Sequence, residues 1–320
     1  MNWSVVQSDA RAWLDSLEDD SADLLVCSPP YEAARTYGID FNLRGQAWVD
    51  WMVEIVTAAA PKVKGLIAIV CEGQTRKFRY SAVPFLLMAD LHRAGFNLRK
   101  PAAFRRVGIP GSGGPDWLRN DYEPVICITR PGKLPWSDNT ACGHPPKWAP
   151  GGEMAHRLSN GARVNQWGKC GTEAGLNGKS NRTRDGKRQK ARRPGHIMAT
   201  KGGTITRGKK AGDTETESGA YLPPVLANPG NVITCKVGGG HMGHDLAHDN
   251  EAPFPLKLAE FFVRSFCPPG GVVGDCFAGS GTTPHAAKKW GRNFMGCYLR
   301  QSQVELTMRR LETVQPELFV

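Results

Sequence analysis

The chain of 320 residues is 40% hydrophobic and carries a formal charge of +11. That length suits one large domain with a smaller one and holds enough apolar residues for a full core, while the absence of any run of 18 apolar residues leaves no membrane span to expect. Nine scattered cysteines without a C-x-x-C pair point to reduced thiols in a cytosolic setting, not to a disulfide framework or a zinc ribbon; Cys142, His144, His156 and Cys170 match no usual ligand spacing, so no metal is expected.

In chain order, the first segment is acidic (Asp9, Asp15, Glu18, Asp19, Asp20), unlike a signal or transit peptide. Asp9 precedes Ala10-Arg11-Ala12-Trp13-Leu14 and reads either as a helix N-cap or as a ligand-binding acid. An apolar strand is expected at 22–27, and it stops abruptly at Ser28-Pro29-Pro30-Tyr31. The prolines fix φ and remove two donors, so carbonyls are left to accept hydrogen bonds, with a serine oxygen and a flat tyrosine ring beside them. Such a set can hold an aromatic base by its amino group; taken alone, Pro-Pro-Tyr reads first as a plain turn after a strand. An amphipathic helix follows at 46–60, whose Trp48, Trp51, Met52, Ile55 and Val56 read as core, and then a strand at 65–71. A helix is expected at 82–94, ended by Gly95, with strands at 98–104 and 124–129.

From Pro131 to about His248 periodicity fades and Gly, Pro, Asn, Lys and Arg dominate. Within this stretch Lys179, Arg182, Arg184, Lys187, Arg188, Lys190, Arg192, Arg193, Lys201, Arg207, Lys209 and Lys210 face a single acid, Asp185, so the segment carries an excess equal to the +11 of the whole chain. A charge run is often a solvated tail; inside a chain and among Gly, Ser, Thr and Asn it suits an arm laid on a phosphate backbone, where neutralised phosphates release counterions. The α/β pattern resumes with a helix at 256–266, a strand at 271–275, a helix at 283–290, a strand at 293–299 and a C-terminal helix at 302–314. Between the strand and the helix lies Cys276-Phe277-Ala278-Gly279-Ser280-Gly281-Thr282-Thr283. Strand, glycine-rich turn and helix form the layout of a nucleotide-cofactor loop, but no Gly-Lys-Ser/Thr makes it a P-loop, and Pro284 occupies the third glycine position of a dinucleotide fingerprint.

Together, Ser28-Pro29-Pro30-Tyr31 early and Asp275-x-Phe277-x-Gly279-Ser280-Gly281-Thr282-Thr283 late resemble the S-adenosylmethionine-dependent DNA amino-methyltransferases, and the order of the two motifs is similar to their permuted beta group. Ser8-Asp9-Ala10, Asn120-Asp121-Tyr122-Glu123-Pro124-Val125-Ile126 (similar to the motif that helps shape the target-base pocket), Asn228-Pro229-Gly230-Asn231-Val232 and His248-Asp249-Asn250-Glu251-Ala252-Pro253-Phe254-Pro255-Leu256 extend the resemblance over about 1–131 and 225–300. It implies a Rossmann-like α/β sheet with helices on both faces, divided into a catalytic half at 1–131, an irregular basic target-recognition region at 132–248 and a cofactor half at 249–320.

What the resemblance implies for the site is specific. Ser28 Oγ and the Pro29 carbonyl would accept hydrogens of a base amino group, with Pro30 shaping the turn and Tyr31 stacking on the flipped base. Asp275 would hold the methionine ammonium of S-adenosylmethionine. Phe277, Gly279 and Gly281 would shape the pocket, Thr282 would reach the carboxylate, Phe254 and Pro255 would close one side, and Asp9 would take the adenine amino group. Two positions depart from the family pattern: Cys276 stands where proline is usual, and Tyr298 stands where an acid usually binds the ribose hydroxyls. Lys179, Arg182, Arg184, Lys187, Arg188, Lys190, Arg192 and Arg193 are the expected contacts to double-stranded DNA. A homodimer, and a bacterial or phage-encoded, DNA-associated protein in the cytoplasm, complete the expectation. The acceptor is N4 of cytosine or N6 of adenine, and the serine leans towards cytosine. C5 methylation, which needs a cysteine nucleophile, is not expected because the Pro-Cys motif is missing. Two other readings stay open: an RNA methyltransferase on the same fold, and a catalytically inactive DNA-binding regulator.

Overall fold

The structure is a computed structural model and describes residues 2–32, 41–108, 114–144, 226–237, 239–246 and 254–317. Residues 1–143 and 228–320 form one compact unit. Residues 144–227 form a second; of these only His144, Leu226 and Ala227 are described, with His144 and Ala227 joined in an antiparallel bridge. Among the described residues no helix is long and apolar enough to cross a membrane.

Among the described residues the first unit is built on a nine-stranded sheet. Its strands are β1 (Trp3–Gln7), β2 (Ala22–Cys27), β3 (Val63–Val70), β6 (Asn97–Leu98), β7 (Ala102–Val107), β8 (Tyr122–Thr129), β9 (Val232–Lys236), β10 (Val272–Asp275) and β11 (Asn293–Tyr298). A separate hairpin pairs β4 (Thr75–Arg76) with β5 (Arg79–Tyr80). The main sheet runs β1-β11-β10-β2-β3-β8-β7-β9, with β6 on β8. The five strands from β1 to β3 are parallel, and β8 enters antiparallel to β3. Parallel strands are covered on both faces, and they read as continuous apolar runs for that reason.

Alternation along the strands divides the core into two layers. Leu25 and Cys27 of β2, Ile67 and Ile69 of β3, and Ile126 and Ile128 of β8 face one side, where they meet Trp13 and Leu14 of α1 (Ala10–Ser16), Trp48 and Met52 of α2 (Gln46–Ala59), and Leu87 and Leu91 of α3 (Val83–Arg93). Leu24 and Val26, Leu66 and Ala68, and Val125 and Cys127 face the other side, against Leu258 and Phe262 of α4 (Leu256–Phe266) and Ala286 and Ala287 of α5 (Thr282–Lys289). A last helix, α6 (Gln301–Thr313), closes the chain. The expected tryptophan-rich helix is therefore core, as its spacing indicates.

Three features differ from the sequence expectation. The single strand expected at 98–104 is two, β6 and β7, broken at Arg99-Lys100-Pro101, where proline cannot supply a ladder donor. The short β1 is an edge strand of five residues, none of them fully buried, and too short to show a pattern. β9 lies within the 132–248 stretch and joins the sheet edge in parallel with β7, with Ile233 and Cys235 buried and Val232, Thr234 and Lys236 exposed.

Candidate active site

Sequence places Ser28 and Asp275 nearly at opposite ends of the chain, and the fold makes them neighbours. β2 and β10 pair in parallel with Leu24 beside Val273 and Leu25 beside Gly274. The loops that leave these strands therefore emerge side by side at their carboxyl ends. From β10 the chain returns through α5 to β11 on one side; from β2 it goes through α2 to β3 on the other. This reversal is the switch point at which open α/β sheets form a crevice for ligands. At the root of the crevice lie the thiols of Cys27 and Cys276: the interaction with Cys276 lowers Cys27, but burial and the Asp275 charge raise it on balance, and burial raises Cys276 well above the usual thiol range.

The loop after β2 is fixed by side chains from three other segments. Trp48 Nε1 of α2 donates to the Pro30 carbonyl at 2.9 Å. Tyr31 donates its hydroxyl to Glu123 Oε2 at 2.7 Å, and Glu123 Oε1 pairs with Arg106 at 3.0 Å. Burial, reinforced by the Glu123 charge, pushes the Tyr31 phenol well above its ordinary range, so it stays a donor. Glu32 is 4% exposed and its carboxylate accepts the N–H groups of Gly45 (2.8 Å) and Gln74 (3.3 Å). Ser28 and Tyr31 are partly buried and Pro29 is buried. Arg106, Glu32 and Trp48 were not anticipated as site residues. The signal for Glu123 was present in Asn120–Pro124; its pairing with Tyr31, 92 residues earlier, was not.

The loop after β10 is held from behind by α6. Thr307 Oγ1 donates to the Gly279 carbonyl at 3.0 Å. Arg310, fully buried, donates to the Ser280 carbonyl (3.1 Å), Thr282 Oγ1 (3.2 Å), His285 Nδ1 (3.2 Å) and the Met242 carbonyl (2.9 Å). Burial lowers the guanidinium to about 10, which leaves it charged, and burial with the Arg310 charge lowers His285 to about 3, which leaves it a neutral acceptor. Gly281 sits at φ +82°, and a Cβ there would lie 2.8 Å from Thr307, so only glycine fits. Asp275 is buried and accepts the Phe277 N–H at 2.9 Å. Desolvation raises its carboxyl to about 7, against the opposing effects of Thr283 and the Phe277 amide. The Phe277 ring packs against Trp51 at 5.7 Å. Arg310 and Thr307 were missed because nothing in an amphipathic C-terminal helix marks a loop 30 residues away.

The other expected residues are distributed as follows. Asp9 Oδ1 caps α1, accepting from Arg11 N (2.8 Å) and Ala12 N (3.3 Å), so its structural use is the one observed. Tyr298 ends β11 beside Gln7, its carbonyl accepts the Ser8 amide, and its ring lies under Arg300 at 5.8 Å. Asp9, Asp275 and Tyr298 are thus gathered at the carboxyl ends of β1, β10 and β11. Pro255 is buried at the start of α4, and Phe254 packs on the second core layer. The basic residues from Lys179 to Arg193, and 247–253 of the approach to Phe254, lie outside the described residues.

The family profile described as DNA methylase, of N6/N4 methyltransferases, matches residues 22–309. The chain belongs to this DNA methylase family. Among curated relatives it is similar to the Type II methyltransferase M.BglI of Bacillus subtilis, 40% identical over 65 residues, which cover 20% of this chain and 19% of that protein. It is also similar to the Type II methyltransferase M1.MboII of Moraxella bovis, 43% identical over 63 residues, covering 19% and 24%. The matches therefore span only about a fifth of the length of these relatives. Of solved structures, the PvuII DNA methyltransferase (cytosine-N4-specific) aligns with a TM-score of 0.60 at 17% identity over 100% of this chain and 89% of that one. The Thermus thermophilus protein TTHA0409, complexed with S-adenosyl-L-methionine, aligns with a TM-score of 0.53 at 19% identity over 99% and 96%. These similarities establish the shared Rossmann-like fold. In this chain Cys276 is buried at the end of β10, and Tyr298 is partly buried at the end of β11.

Proposed function

We propose that the protein transfers a methyl group from S-adenosylmethionine to the exocyclic amino group of a base flipped out of duplex DNA, at N4 of cytosine or N6 of adenine, the serine at 28 favouring cytosine. The observation that carries this reading is the emergence of Ser28–Tyr31 and Cys276–Gly281 from neighbouring parallel strands at the switch point. The residues fit the cofactor on one physical ground above others: Asp275 is a buried carboxylate pushed up to about 7, and a cationic amino group beside it would restore its charge. Gly279, Gly281 and Thr282 would then take the carboxylate end, Phe277, Phe254 and Pro255 would line the pocket, and Asp9 and Tyr298 would lie towards the nucleoside.

The cofactor supplies an electrophilic methyl on a sulfonium sulfur. An exocyclic amino nitrogen is a poor nucleophile because its lone pair is delocalised into the ring. Ser28 Oγ and Pro29 C=O accept its hydrogens and return electron density to nitrogen. Trp48, by engaging the Pro30 carbonyl, holds the turn in one orientation for this task. Tyr31, tied through Glu123 to Arg106, offers its ring face to the flipped base. Lys179, Arg182, Arg184, Lys187, Arg188, Lys190, Arg192 and Arg193 neutralise phosphates, with recognition assigned to the region around them.

Tritium transfer from labelled cofactor should be seen with duplex DNA and not with tRNA, and nucleoside mass spectrometry should detect N4-methylcytosine or N6-methyladenine. Transfer confined to RNA, or 5-methylcytosine as the sole product, would overturn the proposal.

A further inference from the structure

The hairpin after β3 supports the loop after β2 only at its base, through Gln74, and its tip has no role in either loop described above. Its two-residue turn is Lys77-Phe78, at φ +47° and +63°. Both residues are left-handed, as a type I′ turn requires, but such turns ordinarily use asparagine and glycine. A bulky aromatic in this conformation is strained, and Phe78 gains no packing in return, being 79% exposed. Arg76, Lys77 and Arg79 surround it. Strain, exposure and positive charge at one tip are a local conflict of the kind found at functional positions.

The tip is rooted in the candidate active site. Gln74 N donates to Ser81 Oγ (3.0 Å) and to Glu32 Oε1 (3.3 Å), and Glu32 directly follows Tyr31. Tyr80 donates its hydroxyl to Glu72 Oε1 at 2.6 Å, and Asn120 Nδ2 donates to Glu72 Oε2 at 3.2 Å, three residues before the Glu123 that holds Tyr31. From this anchor the strands carry Phe78 outward by about 10 Å, at roughly 3.3 Å per residue. A second exposed apolar pair, Trp117 (77%) and Leu118 (79%) beside Arg119, reaches the same Glu72 through Asn120.

We infer that Phe78 is a wedge that enters the DNA stack next to the target base, with Arg76, Lys77 and Arg79 on the flanking phosphates. The inference rests on the proposed function. The partner is duplex DNA because the tip pairs an aromatic with a cationic surround, the combination that unstacks a base step while holding the backbone. The hydrogen bond from Gln74 to Glu32 joins the base of the hairpin to the residue after Tyr31, so a base displaced at the tip is delivered to the loop.

The test compares wild type, Phe78→Tyr, Phe78→Ala and the double variant K77N/F78G, whose Asn-Gly turn suits the backbone and protects folding. The probe is unmethylated phage genomic DNA, with cofactor Kd and melting temperature measured in parallel. Phe78→Ala and K77N/F78G should lose about tenfold or more in kcat, as befits a lost contribution to unstacking, with cofactor Kd unchanged. Phe78→Tyr should keep most of the rate. Parity of Phe78→Ala with wild type, or equal rates for the Tyr and Ala variants, overturns the wedge. A wild-type protein that transfers no methyl to DNA overturns the proposed function, whereas active wild type with Phe78→Ala at parity removes the wedge alone.

Discussion

The loop after β10 and the loop after β2 end neighbouring strands but are held by different means. Cys276–Gly281 is buried, and its carbonyls are engaged from behind by Thr307 and Arg310 of one helix, so its shape is set by backbone geometry and a single fully buried cation. Ser28–Tyr31 is partly buried, with Pro29 fully so, and is tied by long side chains from α2 (Trp48), β8 (Glu123) and, one residue on, the Glu32 links to Gly45 and Gln74. The first arrangement suits a pocket that must be formed before its ligand arrives. The second suits a surface that must admit a large, flat substrate and still hold its acceptors in line. Damage to the first should appear in cofactor affinity and stability, and damage to the second in turnover.

The largest expected effect tests the second loop. Ser28→Ala should lower kcat by about two to three orders of magnitude, the usual cost of one transition-state hydrogen-bonding group, with cofactor Kd unchanged by calorimetry; an equal loss in Kd would break the division between the loops. Next, Arg310→Met leaves the Ser280 and Met242 carbonyls, Thr282 Oγ1 and His285 Nδ1 without their buried donor. It should cost about 3 kcal/mol in chemical denaturation and weaken cofactor binding with it. Asp275→Asn should raise cofactor Kd about 100-fold, the loss of a charge-assisted contact of roughly 2.7 kcal/mol, with little change in stability. The same group sets a pH trend: its carboxyl is raised to about 7, and a bound cation favours the ionised form, so affinity should fall as pH drops below 7. Calorimetry from pH 8 to 6 should show that fall in wild type and a flat profile in Asp275→Asn. The smallest effect is Trp48→Phe, which keeps an aromatic side chain but removes the bond to Pro30 O and part of a fully buried ring system; it should cost about 2 kcal/mol in stability and a modest share of kcat.

Most of the parallel sheet was legible because buried strands and covering helices carry distinct periods. The apolar runs at 22–27 and 65–71 and the helix at 256–266 are found where the pattern indicates, within a residue or two. Edge strands were less legible. β1 and β9 are short and one-sided, and their pairing depends on partners far away in the chain, Trp3 with Phe294 and Val232 with Ala103. The two site motifs were visible as residues, since proline pairs and glycine turns restrict backbone conformation wherever they occur. Their side-chain supports were not, because Trp48, Glu123, Thr307 and Arg310 are ordinary residues of ordinary elements until the fold brings them to a loop.

By itself the sequence determined that a Ser-Pro-Pro-Tyr turn and a Phe-x-Gly-Ser-Gly turn each follow a buried strand, and that the excess positive charge is confined to one mid-chain segment; these are local properties of covalent structure and composition. Only the tertiary structure decided that the two turns are neighbours, that Asp9 caps a helix, that Asp275 is desolvated enough to rise to about 7, and that Phe78 stands exposed on a strained tip anchored beside Tyr31. Each of these depends on strand pairing or burial between distant segments, which no local pattern encodes.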